Sequence, residues 1–240
     1  MNTTIRSNLH IVSPFGQLGP DEYHQWRVGG EFFSTIEAPA VMPHITLEPF
    51  ERALDIGCGT GLWAGILHSV RPSAEIVGCD VDEGMIDYAT AAHPRIRFQS
   101  RDAMEFRDEA KFDTIVAAMS ADYIGFELLA DIIASNMRSN GVAFVWFLDS
   151  SRYELRSGRR VKRWEVGDRR IEVDIADYTI PGVLRAFGAD GLICLPSFLR
   201  FRLLDDTERM LVLVEVRHEV SAVVDVAPEM TNGVAARLGR

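Results

Sequence analysis

The sequence predicts an α/β fold: a seven-stranded, mostly parallel sheet with helices on both faces and an antiparallel last strand, an N-terminal helical cap and a β-hairpin insertion. Three observations predict it. From about Arg52 onward, short β-rich runs alternate with segments of helical period, the order expected of a parallel sheet covered by helices. A glycine-rich turn between a strand and a helix opens that alternation. With 240 residues a single core is still growing, and about 70 % of the unfolded chain's surface can be buried.

Strand candidates are residues 53–56, 75–79, 96–99, 114–118, 142–148, 192–195 and 210–216. Between the first two, Leu62, Ile66, Leu67 and Val70 recur at helical spacing and predict one apolar stripe. Asp82 is placed to cap a helix carrying Met85, Ile86 and Ala89. Leu128, Leu129, Ile132, Ile133 and Met137 form another stripe, with Asn140-Gly141 as its expected left-handed stop. Thr179 before Ile180-Pro181 starts the last helix, since proline tolerates the first turn, and Val183, Leu184 and Phe187 are expected to face the sheet.

This core spans 51–218. Ahead of it, residues 1–50 hold an amphipathic stretch over 21–28 and a proline-punctuated one over 31–45, expected as a helical cap over the sheet mouth. Within it, 151–178 reads as an insertion: residues 161–166 and 169–174 form two strands around a Gly167-Asp168 turn. Such a hairpin is expected to act as a lid, the alternative being an exposed decoration without ligand contact. Arg159, Arg160, Lys162 and Arg163 read as its solvated face, with Glu165 and Asp168 close by. Residues 219–240 are a mixed tail expected to be partly disordered.

A formal net charge of -10 repels nucleic acid, so no nucleic-acid partner is expected. The three cysteines, Cys58, Cys79 and Cys194, have no disulfide or zinc spacing, which fits a reducing cytoplasm. The start resembles no export signal, and no apolar run approaches the about 18 residues of a membrane span; no membrane association is expected. The histidines lack spacing such as H-E-x-x-H, so no metal is expected.

The informative stretch is Ala53-Leu-Asp-Ile-Gly-Cys-Gly-Thr-Gly61. A turn without Cβ atoms lets a ligand lie against backbone at a helix start. A dinucleotide turn reads G-x-G-x-x-G and places a pyrophosphate on the helix N-terminus. This one reads G-x-G-x-G, with Asp55 two residues ahead. A carboxylate there disfavours phosphate and favours a ligand with positive charge or donors.

Leu54-Asp-Ile-Gly-Cys-Gly-Thr-Gly61 resembles the S-adenosylmethionine loop of class I methyltransferases, D/E-x-G-x-G-x-G. Ile76-Val-Gly-Cys-Asp80 ends in an acid 19 residues after the last loop glycine, where the family binds ribose, and Val81-Asp82-x-x-Met85 continues it with an apolar side chain for adenine. Phe98-Gln-Ser-Arg-Asp102-Ala103 resembles the segment whose acid meets the adenine amino group. Phe112-Asp-Thr-Ile-Val116 is similar to the family's fourth strand. Met137-Arg-Ser-Asn-Gly141 stands at the following turn, lacking the usual proline and second glycine. The resemblance implies S-adenosylmethionine as cofactor, held by Asp55, Gly57, Cys58, Gly59, Gly61, Asp80, Val81, Met85, Asp102, Ala103 and Met119. Cys58 and Cys79 are expected as small fillers rather than nucleophiles, having no base beside them in sequence.

The segment Ala117-Ala-Met-Ser-Ala-Asp-Tyr123 lacks the N/D-P-P-Y/F of relatives that methylate DNA adenine or protein glutamine. The resemblance therefore implies methyl transfer to an O, N or C atom of a small molecule, as in specialised metabolism. Asp122 and Tyr123 occupy the position of the family's post-strand pair and are the catalytic candidates; otherwise Asp122 caps the helix beginning near Phe126 and Tyr123 packs under the lid. Tyr23, Trp26 and Arg27 in the cap are expected to bind substrate. A homodimer is compatible with these readings. The rivals are a nicotinamide oxidoreductase, disfavoured by the glycine spacing, and an S-adenosylmethionine-binding scaffold with a binding or pericyclic role, which shares every cofactor residue.

Overall fold

In the computed structural model, residues 18–166, 168–202 and 208–219 are described; the start of the expected cap (1–17), Gly167 of the expected turn and the tail beyond 219 lie outside the described residues. Helix α1 (Pro20–Gly29) begins on a proline, with Asp21 and Glu22 in its first turn and Arg27 in its last, an arrangement that suits the helix dipole. A π-helical turn (Phe32–Glu37) then runs into α2 (Ala38–Leu47), where Ala38 N–H reaches back to Phe33 O. Pro39 and Pro43 bring no N–H to this stretch, so an unbroken α ladder cannot form across it.

From β1 (Arg52–Ile56) the alternation proceeds through α3 (Leu62–Val70), β2 (Glu75–Asp80), α4 (Glu83–Ala92), β3 (Arg97–Ser100) and β4 (Phe112–Ala118). Short α5 (Ala121–Ile124) and α6 (Phe126–Asn136) lead to β5 (Met137–Leu148). After the inserted β6 (Glu154–Arg156), β7 (Arg159–Val166) and β8 (Arg169–Ala176), the chain returns through α7 (Ile180–Ala189), β9 (Leu192–Arg202) and β10 (Glu208–His218). The seven-stranded sheet runs β3-β2-β1-β4-β5-β10-β9. β1 to β5 pair in parallel and β10 is antiparallel to both its neighbours. One face packs on α6 and α7 through Leu129, Ile132, Ile133 and Phe187. The other packs on α2 and α3 through Val41, Ile45, Trp63 and Leu67. No described helix is long and apolar enough to cross a membrane.

Several expected caps and stripes are present. Asp82 accepts from Met85 N at 3.2 Å and Thr179 from Gly182 N at 3.2 Å, and Met85, Ile86 and Ala89 are buried.

Three local readings need correction. In α3 the buried side chains are Trp63, Ala64 and Leu67, not the whole stripe of Leu62, Ile66, Leu67 and Val70. The helix is apolar on more than one side, and Trp63 decides its rotation by packing edge-on to Trp146 at 4.7 Å. Asn140-Gly141 is not a helix stop: α6 ends at Asn136, whose side chain donates to Ile132 O at 2.8 Å, and β5 has already begun. Gly141 serves close approach instead, since a Cβ there would lie 3.0 Å from the carbonyl oxygens of Phe112 and Asp113, beside the irregular β4–β5 register. The insertion has three strands rather than two, because β6 pairs with β7 across Ser157-Gly158, both at positive φ, the backbone of a tight hairpin turn.

Candidate active site

The loop after β1 turns left-handed three times, at Gly57 (φ 67°), Gly59 (φ 52°) and Gly61 (φ 77°). Gly57 N and Cys58 N both donate to Cys79 O, at 2.9 and 3.0 Å, so the loop hangs from the end of β2. The glycines serve different needs. A Cβ on Gly57 would come within 2.5 Å of Ser120 Cβ, and one on Gly61 within 2.9 Å of the Phe98 ring. At Gly59 the nearest atom would be Tyr23 Cε1 at 3.6 Å. Gly57 and Gly61 are thus required by protein packing, and Gly59 is the bare backbone that opens outward.

It opens into a cavity of about 480 Å³ at the carboxyl ends of the parallel strands, the usual place and size for a ligand in such a sheet. Of the residues expected at a cofactor, Gly57, Gly59, Asp80, Val81, Met85, Asp102, Ala103 and Met119 line this cavity. Asp80 accepts from Gly59 N at 2.8 Å and from Asp82 N at 3.0 Å; burial raises its pKa and those N–H groups oppose the rise. Asp102 accepts from Met104 N at 2.9 Å, capping a short 3-10 turn. Gly61 lies outside the lining.

Asp55 and Cys58 face a side pocket of about 20 Å³ shared with Tyr23 and Arg27. Asp55 is fully buried; Oδ2 accepts from Ala64 N at 2.9 Å at the start of α3, and Oδ1 has no hydrogen-bond partner. Burial, partly offset by that N–H, raises its pKa to about 7. The Cys58 thiol is pushed up, and that of Cys79 to about 12, both by burial. They stay protonated, as fillers would.

The cap supplies one wall. Tyr23, Trp26 and Arg27 all line the cavity, and His24 Nδ1 lies 3.0 Å from Thr60 Oγ1 of the glycine loop. Glu37, fully buried, receives Trp63 Nε1 and Trp146 Nε1, each at 2.9 Å, and Arg27 Nη2 at 2.7 Å. This carboxylate ties the cap to both α3 and β5. It lies in an apolar, proline-punctuated stretch, and a lone acid there was the only sequence signal.

Beyond β4 the chain reverses at Met119 (φ 57°), whose N–H donates to Trp146 O at 2.9 Å, while Ser120 Oγ donates to Ile56 O at 2.8 Å. Tyr123 lines the cavity beside Ile124, Leu128 and Leu148. Asp122 is buried behind this wall, with Oδ2 2.9 Å from Lys162 Nζ and Oδ1 2.9 Å from the Tyr178 hydroxyl. It does not cap α6, whose N-cap is Gly125 at φ 91°.

Lys162 comes from β7 of the insertion. It is buried, lines the cavity and lies 5.4 Å from the Tyr123 ring centroid. The solvated-face reading therefore fails for Lys162: it shares a strand face with buried Val166, and period-two alternation could have found it. Desolvation tends to lower its pKa, but Asp122 and the surrounding phenols hold it above the usual lysine range. Tyr153, Arg163, Phe201 and Arg209 complete the wall; none was expected from the sequence.

Residues 53–141 match the family model described as a methyltransferase domain. That stretch is similar to a methyltransferase domain. The chain is 31 % identical over 115 residues to a trans-aconitate 2-methyltransferase of Escherichia coli O7:K1, a match covering 47 % of this chain and 45 % of that one. The match thus spans less than half the length of that relative. Among solved structures, the PH0226 protein of Pyrococcus horikoshii OT3 superposes with a TM-score of 0.61 at 14 % identity, covering 82 % of this chain and 99 % of that one. The DhpI-SAM-HEP complex gives 0.60 at 14 %, covering 88 % and 99 %. These two likenesses concern the fold.

Proposed function

We propose that the chain binds S-adenosylmethionine and transfers its methyl group to an O, N or C atom of a small molecule. The observation that carries this reading is the single cavity that runs from Gly59 and Asp80 at the glycine turn to Tyr123 and Lys162 beneath the insertion. Cofactor and acceptor would share one continuous cavity.

The residues present suit this cofactor. Gly59 offers backbone without a Cβ, Asp80 stands at a strand end suited to ribose hydroxyls, and Val81, Met85 and Ala103 give an apolar bed for a base. Asp102 would reach the exocyclic amine of that base. The buried, unpartnered Asp55 Oδ1 suits a cationic or donor-bearing neighbour and argues against phosphate. Tyr23 and Arg27 close the amino-acid end.

S-adenosylmethionine supplies, when bound, a methyl group on a sulfonium sulfur that is a good leaving group. Positioning and exclusion of water are then the chain's main contributions. Tyr123 touches the acceptor, while Asp122 acts through Lys162 as a positioning residue, its carboxylate committed to the ammonium. Burial also raises the Tyr123 phenol pKa, so it remains a hydrogen-bond donor at neutral pH. An acceptor already nucleophilic at neutral pH fits such a site.

Incubation with methyl-labelled S-adenosylmethionine and a bacterial metabolite extract tests the reading. Label is expected in a small, extractable product, with S-adenosylhomocysteine formed alongside. Label only in protein or nucleic acid would refute it.

A further inference from the structure

The far end of the cavity has a charge pattern of its own. Lys162, Arg163 and Arg209 line it there with no acid among the described lining residues beside them, whereas Asp80 and Asp102 stand with Arg27 and Arg101 at the glycine-turn end. The three cations differ in how far their charge is met. Asp122 faces Lys162 at 2.9 Å, and Arg163 pairs with Glu154 and with Glu172, the latter at 2.6 Å. Arg209, on β10, lies 5.5 Å from the centroid of the Tyr153 ring, and no carboxylate among the described residues pairs with it.

The surroundings of Arg209 are apolar and aromatic: Tyr153, Phe201 and Leu148 share the wall. In a chain of net charge -10, a guanidinium aimed into such a wall is a local reversal of the field. Low-dielectric walls strengthen its attraction for an anion. A guanidinium is planar by delocalisation, and its fork of donors matches a carboxylate with two parallel hydrogen bonds.

We propose that the methyl acceptor is a small organic carboxylate with an apolar body, its carboxylate received by Arg209 and flanked by Lys162 and Tyr153. That the bound carboxylate is the methyl acceptor rests on the functional reading above; the anion site itself does not depend on it. Phe201 and Leu148 would hold the apolar body, and the insertion would contribute to recognition as well as closure.

Calorimetric titration of the full chain with benzoate, phenylacetate and cinnamate, each against its neutral amide, tests this with and without S-adenosylhomocysteine. At least one carboxylate is expected to bind about tenfold or more tightly than its amide, the scale of a charge-assisted contact. Arg209→Met is expected to erase that preference while leaving the melting temperature and S-adenosylhomocysteine affinity unchanged. The double variant Asp122→Asn/Lys162→Met, which removes a buried pair together, is expected to reduce the preference in part. Amides binding as well as carboxylates, no carboxylate binding at all, or a preference that survives Arg209→Met would each overturn the proposal. Failure of S-adenosylhomocysteine to bind would instead strike the cofactor reading, because the carboxylate preference is measured in its absence as well.

Discussion

Lys162 Nζ on β7 lies 2.9 Å from Asp122 Oδ2 in α5, with the two side chains 4 % and 0 % exposed. One buried ion pair therefore pins the insertion to the segment that follows β4. Burying two charges is costly, and removing one partner leaves the other uncompensated.

Lys162→Met alone is accordingly expected to lower unfolding free energy by about 3–5 kcal/mol, and Asp122→Asn/Lys162→Met to recover most of it. Urea denaturation checks both. In turnover, Asp122→Asn should chiefly raise the acceptor KM. A fall of about 10²–10⁴ in kcat at unchanged KM would mark Asp122 as a general base instead.

Glu37 makes the corresponding contact for the cap. Glu37→Leu strips a partner from Trp63, Trp146 and Arg27 together and is expected to cost about 3–5 kcal/mol, the range for breaking a buried charged network. Glu37→Gln keeps an acceptor oxygen and should cost less. Limited proteolysis within α1 should accelerate for Glu37→Leu, and equal rates for wild type and variant would contradict the tie.

Asp55 sets a pH dependence. Its pKa rises from 3.8 unfolded to about 7 folded, so between these values the native chain holds a proton that the unfolded chain releases. Stability through this group is therefore greatest at the acid end and falls as pH rises through the window. Asp55→Asn is expected to flatten the decline in urea midpoint from pH 5 to pH 7. Asp80, also raised by burial, retains part of it. An unchanged slope in Asp55→Asn would remove Asp55 as the cause.

Gly57 and Gly59 should separate folding from binding. Gly57→Ala drives a Cβ into Ser120 and is expected to unfold or severely destabilise the chain. Gly59→Ala has room and faces only the left-handed strain of about 1–2 kcal/mol, yet its methyl enters the cavity. A folded Gly59→Ala with lost cofactor affinity is the expected result by thermal melting and calorimetry.

The sheet and its glycine turn were readable because their signals are local: alternation, a spaced glycine triplet and an acid at the next strand end each occupy a few residues. Asp80, Met85 and Ala103 could be placed from such signals, and they line the cavity. Glu37 and Arg209 could not, and for Lys162 strand alternation could signal burial but not its partner. Asp122 and Lys162 meet across 40 residues and Glu37 and Trp146 across 109, and no spacing rule links positions so far apart. Gly61 resembles a ligand glycine in sequence, yet its requirement is the Phe98 ring, a contact only the folded sheet supplies. Ser157-Gly158 carried a turn signal for the third inserted strand, but β6 is three exposed residues long and has almost no pattern to read.

Titration of S-adenosylmethionine into the wild-type chain and into Asp80→Ala tests the central claim most directly. The account predicts one-to-one binding by the wild type, weakened in the variant by about 1.5–3 kcal/mol, as expected for losing hydrogen bonds to a charged group. No binding, or equal affinity in a correctly folded Asp80→Ala, would contradict it.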